Sequence, residues 1–181
     1  VELARDIAQR FNSLYGETFK LCQPVVPKVA ARVMGLDDPT AKMSKSSTAK
    51  GHAIRLTDED AQILKAFKRA VTDSGREIEF SDDPSRAGVN NLLGIYRAIS
   101  GKSEEQVVED FADARGYGDL KKGVAEVVIE ALSPIRERYL QLIADPTSLD
   151  HLIAKGAGRA AERAEPKVLE MKDRMGFLPA S

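Results

Sequence analysis

The sequence predicts a mainly α chain, in which the helix, strand and loop of an α/β unit precede an all-helical bundle. Two observations carry this. Apolar residues recur at helical spacing at the start of the chain, and again almost without interruption from Thr57 onward. Between these stretches the period fails: Pro24 and Pro27 bar helix, Val25, Val26, Val29 and Val33 favour extended backbone, and Gly35 marks a turn. The boundary is expected between Gly51 and Thr57, giving a first domain over residues 1–53 and a second over 54–181.

In chain order, Leu3, Ile7, Phe11 and Leu14 form the stripe of an amphipathic helix that should stop at Gly16. Ala31 to Met34 reads as a short strand. Residues 37–52 are polar, with Pro39, Gly51 and a run of Ser and Thr, and predict an exposed, mobile loop. Thr57-Asp58-Glu59-Asp60 places acids at a helix N-terminus, followed by a stripe of Ile63, Phe67, Ala70 and Val71. Val89, Leu92, Leu93, Tyr96 and Ile99 mark the next helix, closed by Gly101. Ser103 and Gln106 form a capping box for another that carries Val107 and Phe111. Gly116-Tyr117-Gly118 reads as a loop. Leu120, Val124, Val127, Val128, Ala131, Ile135, Tyr139 and Leu142 then describe a long helix kinked near Pro134. A last helix spans Leu149 to Met175, disturbed at Pro166 and ended by Gly176 and Pro179. Tyr96 and Tyr139, on apolar stripes, are expected in the core.

With 43% hydrophobic and 30% charged residues among 181, the composition excludes a disordered or fibrous chain. The 27 basic and 28 acidic residues cancel, so any contact with a polyanion must come from local clusters of Lys and Arg. Arg86, Lys102, Arg115, Lys121 and Lys122 are candidates because they sit near loops or helix ends, with a solvated charge the alternative for each. Cys22 is the sole cysteine, which rules out an intramolecular disulfide, fits a reducing cytoplasm, and reads as a small buried apolar residue. The apolar stretch from Val124 to Leu132 is broken by Glu126 and Glu130 and is too short to span a bilayer. His52 and His151 stand apart from each other and are given no catalytic or metal role. The chain opens at Val1 already in helical register and reads as cut from something longer.

The chemistry concentrates at Lys42-Met43-Ser44-Lys45-Ser46. Two lysines three apart on a mobile loop after a strand can reach one triphosphate. Where a carboxylate attacks the α-phosphorus of ATP, charge builds on the departing pyrophosphate, and positioned ammonium groups stabilise it without any protein nucleophile. The alternative, a merely solvated loop, holds for most segments of such composition.

That five-residue string is identical to the signature loop of class I aminoacyl-tRNA synthetases. Its flanks, Pro27-Lys28-Val29, Ala31-Arg32-Val33-Met34, Leu36 and Asp38-Pro39-Thr40, resemble the approach to this loop in bacterial tryptophanyl-tRNA synthetases. Val71-Thr72-Asp73-Ser74, Asn91-Leu92-Leu93, Gly116-Tyr117-Gly118 and the helix around Pro134 also look like that family, so the resemblance covers essentially the whole chain. It implies the C-terminal tail of a Rossmann-type ATP domain followed by a helical anticodon-binding domain. It also implies ATP-dependent activation of tryptophan and its transfer to tRNA(Trp), in a homodimeric cytoplasmic enzyme with Mg²⁺ accompanying ATP. Lys42 and Lys45 would face the phosphates as catalytic residues, Met43, Ser44 and Ser46 would shape the loop, and Val33 would lie against adenine, an ordinary strand residue being the alternative. Tyr117 becomes a candidate to stack on an RNA base.

The family's second signature, a His-x-Gly-His-like segment, is absent from this sequence, and its tryptophan pocket is expected upstream. The chain alone is therefore expected to form no aminoacyl-adenylate. Two rivals stay open: a tyrosyl or other class I synthetase, disfavoured by the ending at Gly176-Phe177-Leu178-Pro179, and a non-catalytic RNA-binding or interaction module.

Overall fold

The computed structural model describes residues 1–27 and 29–178; Lys28 and the expected helix terminator Pro179 lie outside the described residues. Among these, six helices follow in order: α1 (Glu2–Tyr15), α2 (Asp60–Lys68), α3 (Ala87–Ser100), α4 (Glu104–Asp110), α5 (Tyr117–Ala144) and α6 (Pro146–Arg174), with a 3₁₀ turn at Pro84–Arg86 before α3. The mainly α class is as expected. The chain packs as two compact units, one of Pro27–Gln141 and one of Val1–Val26 with Leu142–Ser181.

Local signals set most helix ends. Glu59 and Gln62 cap α2 reciprocally, and Ser103 and Gln106 do the same for α4, each pair satisfying N–H groups that the first turn leaves free. Gly101, at φ 70°, closes α3 in the left-handed conformation that costs glycine least. Asp145 caps α6 by accepting from the Ser148 amide, with Pro146 at the first helical position.

The core lies in the Pro27–Gln141 unit. Phe67 and Ile63 of α2, Val89, Leu92 and Leu93 of α3, Val107 of α4, and Leu120 and Val124 of α5 are buried together. Each such side chain contributes on the order of 1.5–3 kcal/mol relative to exposure. Leu36, from the non-helical stretch, joins them, so the segment before α2 is part of the same packed body. Helix α2 ends at Lys68, leaving Val71 exposed instead of on the expected stripe; its amide donates to the Leu36 carbonyl at 2.7 Å. At that point the chain meets the start of α3 so closely that a Cβ on Gly88 would collide with the Val71 carbonyl.

Several expectations are corrected. Ala31 to Met34 is not a strand: an isolated antiparallel bridge joins Met34 to Lys42, because no neighbouring strand is available among the described residues. Gly116-Tyr117-Gly118 is not a separate loop, since Tyr117 begins α5. Beyond Leu132, α5 outruns the core, and Tyr139, expected inside, stands exposed with Ile135.

The other unit has a different character. Asn12 binds the amides of Thr18 and Phe19 and the Phe19 carbonyl, folding the chain back at the end of α1. Phe11 stacks edge-on against Phe19 at 5.0 Å between ring centroids, and Lys167 of α6 donates to the Thr18 carbonyl at 2.9 Å. Neither α1 nor α6 holds a buried residue, and the expected apolar stripe of α1 is open, with Leu3 72% and Ile7 59% exposed. Cys22, expected buried, is exposed too, because the described residues of this unit form no closed core to receive it.

Gly88→Ala is expected to destabilise the protein by about 1–3 kcal/mol, since the added methyl meets backbone and not a yielding side chain. Urea unfolding followed by a probe in the Pro27–Gln141 unit checks this, and an unchanged midpoint would show that the α3 start can move away.

Candidate functional site

The loop that carries Lys42 and Lys45 rises from a short backbone stem. The Met43 amide donates to the Val33 carbonyl at 3.0 Å, and the Gly35 amide to the Ala41 carbonyl at 2.8 Å. With no strand beside it among the described residues, the stem takes its lateral support from a side chain: the Asn91 amide of α3 accepts from the Met34 N–H at 3.0 Å and donates to the Met34 carbonyl at 2.9 Å. Its neighbour Asn90 makes the same pair of bonds to Ser81. The turn across the stem is closed by Asp38, which accepts from the Thr40 hydroxyl at 2.6 Å and amide at 2.9 Å; the hydroxyl bond is the main reason its carboxyl titrates below its usual value.

Above the stem the residues diverge in role. Met43 packs against the core and anchors the loop. Lys42, Ser44, Lys45 and Ser46 are exposed, and the Ser44 hydroxyl accepts from the Ser46 amide at 3.3 Å, bending the chain at that point. Among the described residues neither lysine has a carboxylate at ion-pair distance. Two unneutralised ammonium groups on one anchored loop fit a polyanionic ligand such as a triphosphate. Val33 is half-buried in the stem and, with Asn90, Asn91 and Gly94, lines a hollow of about 350 Å³ beside it.

His52, which sequence reasoning left without a role, is buried at the root of the loop. Its Nδ1 lies 2.6 Å from the Asp37 carboxylate and its Nε2 3.1 Å from the Lys42 carbonyl. The bond to that carbonyl, followed by the one to Asp37, holds the imidazole pKa above its ordinary value. The only signal in the sequence was a histidine ten residues after Lys42, which is too little to act on. His151 is exposed on α6.

The basic candidates separate. Arg86 is engaged internally, with Asp73 and Glu79, and Lys102 is paired with Asp110 at 2.6 Å, so both are corrected to structural residues. Tyr117, the stacking candidate, packs on the core and donates its hydroxyl to Asp73 at 2.7 Å; this bond is the leading cause of the depressed Asp73 pKa. Lys121 and Lys122 line a cavity of about 680 Å³ together with Lys65, Lys68 and Leu64 of α2 and Gly118. Burial lowers the Lys121 pKa. The grouping of Lys65 and Lys68 with α5 is tertiary and invisible in one dimension.

Residues 1–133 match the family described as tRNA synthetases class I (W and Y). The chain belongs to that family. Among curated proteins it is 46% identical over 178 residues to the tryptophan–tRNA ligase of Wolinella succinogenes, covering 98% of this chain and 53% of that protein. The tryptophan–tRNA ligase of Mycobacterium leprae is 45% identical over 179 residues, with 99% and 52% covered. Among solved structures, the tryptophanyl-tRNA synthetase of Mycoplasma pneumoniae superposes with a TM-score of 0.84 at 29% identity, covering 98% of this chain and 53% of that one. That of Campylobacter jejuni, complexed with ADP and tryptophan, gives 0.66 at 28% identity, over 97% and 53%. The expected resemblance to tryptophanyl-tRNA synthetases is borne out, and the chain spans about half the length of the relatives it matches.

Asn91→Leu removes both bonds to Met34 and leaves a half-buried amide and carbonyl without partners, at a cost of about 1–3 kcal/mol. The expected readout is a lower urea midpoint together with faster amide exchange at Gly35 and Met43.

Proposed function

We propose that this chain serves an ATP-dependent enzyme that activates tryptophan and transfers it to tRNA(Trp), and that it contributes one wall of the ATP site and the tRNA-binding domain. The observation that carries this reading is the pair of exposed, acid-free lysines, Lys42 and Lys45, on a loop rooted in the packed body. Residues 1–53 are the end of the ATP domain and 54–181 the helical anticodon-binding domain, a functional division distinct from the two packing units. The enzyme works in the cytoplasm as a homodimer. No helix among the described residues is long and apolar enough to cross a membrane.

In the activation step the tryptophan carboxylate attacks the α-phosphorus of ATP and pyrophosphate leaves with the electron pair of the broken P–O bond. Lys42 and Lys45 are catalytic here, since they meet the charge as it develops on the leaving oxygens. The backbone of Met43, Ser44 and Ser46 shapes the approach, and Val33 borders the adenine side. Mg²⁺ travels with the triphosphate and offsets part of its charge; no protein ligand is assigned to it. The His-x-Gly-His-like segment and the tryptophan pocket belong to the upstream half of the enzyme, so the chain alone is inactive.

The groove of Lys65, Lys68, Lys121 and Lys122 is the RNA-facing surface of the helical domain. Four ammonium groups around an apolar floor suit a phosphate backbone, which is bound through charge and without regard to base identity.

Pyrophosphate exchange gives the test of the ATP site. The full-length enzyme is expected to exchange, this chain alone is not, and Lys45→Ala in the full-length enzyme is expected to lower the rate by about a hundredfold or more with tryptophan affinity unchanged. Exchange by the isolated chain, or unchanged turnover in the variant, would count against the assignment. For the groove, Lys68→Ala with Lys121→Ala is expected to reduce the slope of log affinity for tRNA against log salt by roughly 2.

A further inference from the structure

We propose that His52 is the positioning residue of the signature loop: its ring, held between the Asp37 carboxylate and the Lys42 carbonyl, fixes the root from which Lys42 and Lys45 rise toward the triphosphate. This rests on the ATP reading of the loop given above.

Three features of the geometry support it. First, the ring closes the loop on itself. Residue 52 is joined to residue 42 through Nε2 at 3.1 Å, so the exposed stretch between them has both ends tied at one point. Second, the tie leads into the core. The His52 carbonyl accepts from the Leu36 amide at 3.1 Å, and Leu36 is one of the most deeply buried side chains of the protein. Third, the ring is closely housed: a Cβ on Gly35 would overlap the ring carbon Cε1, so glycine at that position makes room for the histidine. An ammonium group on a long flexible stem is placed only as well as its backbone root, and small displacements of a charge-stabilising group are costly in rate.

The protonation state follows from the partners. Both ring nitrogens face oxygen atoms that accept hydrogen bonds, and a neutral imidazole has one N–H to offer, so the two contacts are satisfied together only by the imidazolium. The same proton matters for charge. The groups acting on the ring are the carboxylates of Asp37 and Asp38, and a neutral ring would leave the Asp37 charge uncompensated beside a site meant for a triphosphate. Because the folded-state pKa is raised above the ordinary 6.5, the clamp is complete at pH values below that and is lost as pH rises through the folded pKa. ATP binding is therefore expected to weaken on the alkaline side, with tryptophan binding unaffected.

The experiment has two arms. In this chain, ¹⁵N spectra of the imidazole should show His52 as an imidazolium with a pKa above the ordinary histidine value, and Asp37→Asn should lower it. His52→Ala should accelerate amide exchange at Gly35 and Met43 by about tenfold or more while amides in the middle of α3 keep their protection. In the full-length enzyme, His52→Ala should raise KM for ATP and lower kcat of pyrophosphate exchange with KM for tryptophan unchanged. Asp37→Asn should move the alkaline limb of the ATP profile to lower pH. A neutral His52 at pH 6, unchanged loop exchange in His52→Ala, or an unaltered KM for ATP would each overturn the proposal. A full-length enzyme without any exchange activity would instead remove the catalytic reading, while the amide-exchange comparison would still decide whether His52 holds the loop.

Discussion

The amide of Asn91 does for Met34 what a neighbouring strand does elsewhere, presenting one acceptor and one donor to a single residue's backbone. Extended backbone next to a helical body is costly when its N–H and C=O groups are left dry. A side-chain amide on α3 removes that cost at one residue, and Asn90 does the same for Ser81 one position earlier on the helix. Two consecutive asparagines therefore bind two separate non-helical segments to one rigid element. The stem, the turn held by Asp38 and the loop above them inherit their position from that attachment.

The remaining polar contacts divide by burial. Asp73 gathers the Tyr117 hydroxyl, the Gly75 amide and Arg86 in a half-buried cluster that ties the 71–75 segment to the start of α5. The pair between Lys122 and Glu126, both well exposed at 3.7 Å, contributes little, as surface ion pairs usually do. The enclosed Asp73–Arg86 pair is thus structural, whereas Lys42 and Lys45 have no carboxylate at ion-pair distance among the described residues.

Helices were legible because their signals are local. The Ser103 and Gln106 box, the stop at Gly101 and the stripe of α3 each lie within a few residues of one another. The five-residue signature was legible for the same reason. What escaped was everything fixed by a partner distant in sequence. The strand assigned to Ala31–Met34 failed because extended residues need neighbours that a propensity count does not supply. Tyr117 read as a loop aromatic because its partner Asp73 is forty-four residues away. His52, the lysine groove and the asparagine pair are likewise products of folding, each assembled from residues that look unremarkable alone.

The open faces of α1 and α6 bear on how this molecule loses its structure. One unit is closed over a dense apolar core, and the other is held by hydrogen bonds and stacked rings with no buried side chain on either helix. Cooperativity comes from shared burial, and α1 and α6 have no buried side chain to supply it. Ellipticity, to which α1 and α6 contribute more than forty helical residues, will begin to fall at temperatures where the loop stem and its asparagine clamp are still intact.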